Sequence, residues 1–119
     1  MNIFSQVQTG DIFVLRWGYG QTNVGFFQVM RAAAQTVVIR RLNSHFTKKP
    51  KFKSNEGSVT ARAGDFDTST SPDVFGAGQP VRKKLSSVNG RPALKFSMGR
   101  YCPMAVKWGG KPVKETWGY

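Results

Sequence analysis

Most of the residues in this chain that are able to do chemistry are cations. Eighteen Lys and Arg stand against six Asp and Glu over 119 residues, a net charge of +12. The excess sits in two blocks. Residues 40–56 hold Arg40, Arg41, Lys48, Lys49, Lys51 and Lys53 against Glu56. Residues 80–119 hold nine bases, including Arg82, Lys83, Lys84, Lys95, Arg100, Lys107 and Lys114, against Glu115. Between the blocks, residues 57–79 are net acidic, and residues 1–39 are close to neutral. A small folded protein repels itself at this charge. A polyanion relieves the repulsion, because each phosphate contact releases condensed counterions and adds affinity. The cations named above are the candidate nucleic-acid contacts.

Aromatics are interleaved with them. Tyr19, Tyr101 and Trp108 lie at strand ends or beside glycine turns. Aromatics exposed among Arg and Lys stack on unpaired bases, each worth about 1–3 kcal/mol. The alternative is that they cap the ends of a small barrel with the polar tip wet; Trp17 and Trp117 fit that role better than contact. The stretch TKKPKFK over residues 47–53 is kept extended by Pro50 and repeated Lys, and suits either a phosphate-tracking arm or a solvated loop.

Catalytic chemistry is poorly served. His45 is the only histidine and falls in a polar stretch. Cys102 is the only cysteine, so no internal disulfide can form, and a Cys–His dyad needs the fold to bring the two together. Asp65, Asp67 and Asp73 are spaced like a loose cation loop but lack the glycine and terminal glutamate of a calcium site, so no metal is expected. There is no phosphate-binding Gly-rich loop followed by Lys-Ser/Thr, and no cofactor is implied.

The elements that would position these residues are strands. Residues 11–17 (DIFVLRW), 23–30 (NVGFFQVM) and 35–42 (QTVVIRRL) are apolar on both faces, as buried strands are. They read as a three-stranded antiparallel meander over residues 10–42, with GYGQT and residues 31–34 as turns. Within the first strand Ile12 and Val14 fall on one face and Phe13, Leu15 and Trp17 on the other; within the second, Val24, Phe26 and Met30 oppose Phe27 and Val29; within the third, Val37, Ile39 and Arg41 oppose Val38, Arg40 and Leu42. Residues 43–80 are rich in Ser, Thr, Gly, Asp and Lys and read as a long loop region holding at most a short strand at 58–63. Residues 81–119 resume strand patterning. Residues 81–85 and 93–98 alternate, Asn89-Gly90 is a hairpin signal, residues 101–108 contain Pro103 and read as an edge or irregular segment, and residues 113–117 form a last strand. With no amphipathic helix, the fold class is all-β: a single domain over residues 1–119, built as a small SH3-like or partly open antiparallel barrel with a long central loop. On the outer faces, Arg82, Lys84, Lys95 and Lys114 would merge into one positive surface if their strands are neighbours.

Two stretches, WGYGQTNVGFFQV at residues 17–29 and WGGKPVKETWGY at residues 108–119, resemble an uncharacterised family of small proteins encoded by phages, plasmids and bacteria. That family tends to read W-G-Y-[DE]-Q-T-N-V-D-F-Y-Q-V and, near its C-terminus, W-D-G-K-P. The resemblance implies a small β-rich protein of a mobile element or its host and implies no activity. Gly20, Gly25 and Gly109 stand where the family tends to have acids, and Phe27 where a Tyr is usual. Hairpins opening with Gly-Asp-Ile, as at residues 10–13, also occur in SH3-like barrels of translation-associated nucleic-acid-binding domains and ribonuclease toxins, a fold-level likeness only.

The expectation is therefore a non-enzymatic nucleic-acid-binding protein of a phage or plasmid, working through phosphate contacts and base stacking. The alternative is an inhibitor or modulator that docks on an acidic surface of a host defence, transcription or replication protein. A ribonuclease toxin-like barrel is the remote third reading. Partners are nucleic acid or an acidic host protein, with a homodimer conceivable through an exposed strand at residues 113–117. No run of about 18 apolar residues is present, so no membrane span is expected. The stretch MNIFSQVQTGD has no basic or apolar signal region, so a cytoplasmic location is expected.

Overall fold

The computed structural model describes residues 6–18, 22–47, 56–68, 79–97 and 100–116. Its strands are β1 (Ile12–Trp17), β2 (Asn23–Ala32), β3 (Thr36–Phe46), β4 (Glu56–Phe66), β5 (Val81–Val88), β6 (Arg91–Lys95), β7 (Met104–Lys107) and β8 (Val113–Thr116). Every pairing is antiparallel, in the order β2-β1-β7-β6-β5-β3-β4-β8, and β2 also pairs with β3. That last pairing closes six strands into a barrel and leaves β4 and β8 outside it. The all-β barrel expected from the sequence stands, and it is closed rather than partly open.

The two-sided apolar pattern of β1, β2 and β3 has a specific cause: these strands serve two cores. Phe13, Leu15, Phe27, Val29, Val37, Ile39, Leu85, Leu94, Phe96 and Ala105 fill the barrel interior, with Phe27 and Phe96 centroids 4.9 Å apart. Six strands enclose little space, so side chains fill it completely. Trp17 packs at one end of this interior, and Val7, ahead of β1, belongs to it at the other. On the outer face, Val14, Val24, Phe26, Leu42, Val59, Ala61 and Val113 form a second core beneath β4 and β8. The free side of β8 is tied back to the start of β2. Thr116 N–H donates to Thr22 O (2.9 Å), Thr22 N–H donates to Thr116 Oγ1 (2.7 Å), and Val24 N–H donates to Glu115 Oε2 (3.1 Å). The strand edge on which the homodimer expectation rested is thus in part occupied by the chain itself.

Three local expectations change. β4 runs through Glu56–Phe66, eleven residues instead of a short strand at 58–63, because Val59 and Ala61 are buried in the outer core. His45 lies within β3 rather than in a loop. β7 is not an edge: it pairs with β1 on one side and β6 on the other. Pro103 sits just before β7, where its missing N–H costs no ladder bond and its carbonyl accepts from Phe96 N–H (3.0 Å). The Asn89-Gly90 signal does form the β5–β6 hairpin. Both residues have positive φ (51° and 76°), the conformation a two-residue primed turn requires. Among the described residues no helix is long and apolar enough to cross a membrane.

Candidate nucleic-acid interface

β5, β6 and the hairpin between them carry Arg82, Lys83, Lys84, Arg91 and Lys95 and no acid. Alternation about the buried Leu85 and Leu94 sends Arg82, Lys84, Arg91 and Lys95 to the outer face, where all four are exposed. Leu85 pairs with Leu94, so the next step of the ladder sets Lys84 beside Lys95. On the other side of β5, Arg82 pairs with Val38 and Lys84 with Thr36. The result is a cationic face spread over adjacent strands.

Lys83 turns the other way. Its Nζ lies 4.4 Å from the Phe96 ring centroid and donates to Lys95 O (3.2 Å). Burial holds this ammonium's pKa below the usual lysine value. Arg40 shares the outer face of β3, but its guanidinium sits 4.4 Å over the Phe66 ring. Arg41 is half-buried on the opposite face, and its carbonyl accepts from Asp67 N–H. Lys107 Nζ is 3.4 Å from Asp11 Oδ2 and donates to Gln6 O (3.1 Å), so a carboxylate already meets it. Arg100 is exposed in the turn before β7. Lys114 is exposed on β8, but β3 and β4 separate β8 from β5, so it does not join the β5–β6 face.

The aromatic candidates divide similarly. Trp108 packs against the outer core, its ring edge-on to Phe26 at 4.9 Å, with its indole N–H donating to Lys111 O (2.7 Å). Tyr101 is half-buried. Tyr19, Lys48, Lys49, Lys51 and Lys53 lie outside the described residues.

One cluster was not evident in the sequence. Between Leu42↔Phe66 and Ser44↔Ala61, Asn43 alone of β3 faces four residues of β4, which bulge outward. Asp65 on this bulge hydrogen-bonds His45 Nε2 and accepts from Asn43 Nδ2 (3.1 Å), while Gly64 N–H donates to Gln28 Oε1 (2.8 Å). The His45 imidazole, then the Asn43 amide, with Arg62 nearby, hold the Asp65 carboxyl below the usual aspartate range. Twenty residues separate His45 from Asp65, so no motif announces the pair. Cys102 is exposed and precedes β7, on the side of the barrel opposite β3, so a Cys102–His45 dyad does not form. Among the described residues no cluster of three His, Cys, Asp or Glu side chains could hold a metal ion.

Comparison with protein-family models, curated proteins and solved structures found no match. The geometry of the outer face therefore carries the functional argument.

Proposed function

We propose that this barrel is a non-enzymatic nucleic-acid-binding protein, of the kind a phage or plasmid would encode, and that it engages phosphates with the outer face of β5 and β6. The observation that carries this is the acid-free hairpin, with Arg82, Lys84, Arg91 and Lys95 exposed together on one side of it. Three of the described acids are engaged away from it. Asp11 lies next to Lys107, Asp65 is bound to His45 and Asn43, and Glu115 accepts from Val24 N–H. Cations without nearby carboxylates keep their full potential for a polyanion. Binding of this kind is insensitive to base sequence, since among the described residues no recognition helix is present to enter a groove. The barrel leaves Trp108 little freedom to stack, so phosphate contacts dominate over base stacking.

The test is a titration of single- and double-stranded oligonucleotides at increasing salt. With four phosphates neutralised, log K should fall against log salt with a slope of roughly −3 to −4. A flat dependence, or no binding at low salt, rejects the reading. A protein partner recovered from nuclease-treated host lysate, together with weak oligonucleotide binding, would favour docking on an acidic protein surface instead.

A further inference from the structure

We infer that Arg31 and Arg82 form a two-armed clamp for a single phosphate group, the anchoring point of the proposed nucleic-acid face. Arg31 was not among the cations the sequence pointed to, because residues 31–34 read as a turn; β2 instead runs on through Arg31 to Ala32, and simple strand parity would still misplace the side chain. Val29 points into the barrel, so in a regular strand Arg31, two residues on, would point inward as well. The β2–β3 ladder, however, pairs Val29 with Ile39 and Arg31 with Val38, with the register shifting between them. Ile39 is an interior residue, whereas Val38 belongs to the outer face. The bulge at Met30 therefore turns Arg31 outward. Bulges re-aim side chains in this way.

Val38 is also the partner of Arg82 on its other side. The two arginines thus flank one valine across three adjacent strands, with Cα atoms roughly 10 Å apart at two strand spacings. A shallow cleft of about 270 Å³ lies between them, lined by Arg31, Ala33, Thr36, Val37, Val38 and Arg82. Its lining holds two cations, one hydroxyl and no carboxylate. Neither guanidinium has a hydrogen-bond, ion-pair or ring partner among the described residues, and both side chains are exposed. Arg40, on the same face, is instead laid over Phe66. A bulge alone would only tighten the barrel's twist. The site is made by two unpaired planar forks converging on one cleft, with Thr36 able to donate a third hydrogen bond and Lys84 next to Thr36 across the ladder. Guanidinium forks match phosphate oxygens bidentately, which an ammonium does not.

The clamp rests on the nucleic-acid reading for its polymer but on phosphate chemistry alone for its geometry, and the experiment separates the two. Binding of a short oligothymidylate labelled at its 3′ end, with and without a 5′-phosphate, is measured by anisotropy at low salt. Arg31→Ala and Arg82→Ala should each weaken binding about tenfold, the effect of losing one charge-assisted bidentate pair. The double variant should be little weaker than either single one, because both arms hold the same phosphate. Arg82→Lys should recover little, whereas Lys95→Ala should cost only about two- to threefold and multiply with Arg31→Ala, as a separate contact does. Tighter binding of the 5′-phosphorylated strand assigns the clamp to a terminal monoester, and equal binding assigns it to a backbone diester. Independent, multiplicative effects of Arg31→Ala and Arg82→Ala, or full recovery by Arg82→Lys, would overturn the clamp while leaving nucleic-acid binding in place. If the wild-type protein binds no oligonucleotide, yet inorganic phosphate shifts the Nε–H resonances of both arginines, the clamp stands and the nucleic-acid reading falls.

Discussion

Trp17 lies diagonally across the β1–β2 ladder over Gly25. A Cβ placed on Gly25 would stand 3.2 Å from Trp17 Cζ3 and 3.3 Å from Phe27 Cε2. Phe27 is fully buried, so the tryptophan would have to yield. Gly25→Asp should therefore expel Trp17 from the end of the barrel and bury a carboxylate at the interior face. We expect a loss of about 2–4 kcal/mol, from disrupted packing and a desolvated charge, with a red-shifted tryptophan emission. Urea unfolding with fluorescence detection checks both. Unchanged stability would mean that Trp17 does not close the barrel.

Asp65 makes stability depend on acid pH. Its folded pKa lies below the ordinary aspartate value of 3.8, through His45 first and then Asn43. The unfolded chain therefore binds the proton more readily than the native state. The stabilisation is fully present above about pH 4 and is lost as pH falls through the folded value. The stability difference between wild type and Asp65→Asn should be largest above that point and shrink below it. Parallel stability–pH curves for the two proteins would contradict the pairing.

Lys83 works with the opposite charge. Burial lowers its folded pKa below the ordinary 10.5, so the native state binds its proton less tightly than the unfolded chain. Wild-type stability should then rise as pH increases through the folded value towards 10.5, relative to Lys83→Met, which has no such group. Chemical denaturation of both proteins from neutral pH to pH 10 measures this. A constant difference between them would show that the ammonium is not desolvated in the native state.

Trp108 provides a test of stacking against packing. Trp108→Phe keeps a ring against Phe26 but removes the N–H that Lys111 O accepts. Stability should drop by about 1 kcal/mol for the lost hydrogen bond, while oligonucleotide affinity should stay within about twofold, well short of the loss of a base stack. A large loss of affinity with intact stability would return Trp108 to the binding surface.

Much of the barrel was legible in local pattern. Within each strand the alternation correctly separated Phe13 and Leu15 from Val14, Phe27 and Val29 from Val24 and Phe26, and Val37 and Ile39 from Leu42, because side chains of a strand point to opposite faces whatever the strand pairs with. Asn89-Gly90 announced its hairpin because positive φ at two successive positions suits few other residues. Pro103, by contrast, misdirected the reading of β7. A proline marks a missing donor, and only the tertiary structure reveals that the donor is missing just outside a central strand.

The sequence by itself determined the charge, its two blocks, the all-β class and which residues share a face, since these follow from composition and a period of two. Tertiary structure decided the rest, because it depends on pairings between residues distant along the chain. The β2–β3 contact closed the barrel, and β4 and β8 made the second face of the meander a core. β4 brought Asp65 to His45. One bulged residue in β2 reversed the parity of Arg31 and set it across Val38 from Arg82. No local pattern encodes a register shift, because it is the partner strand that defines it.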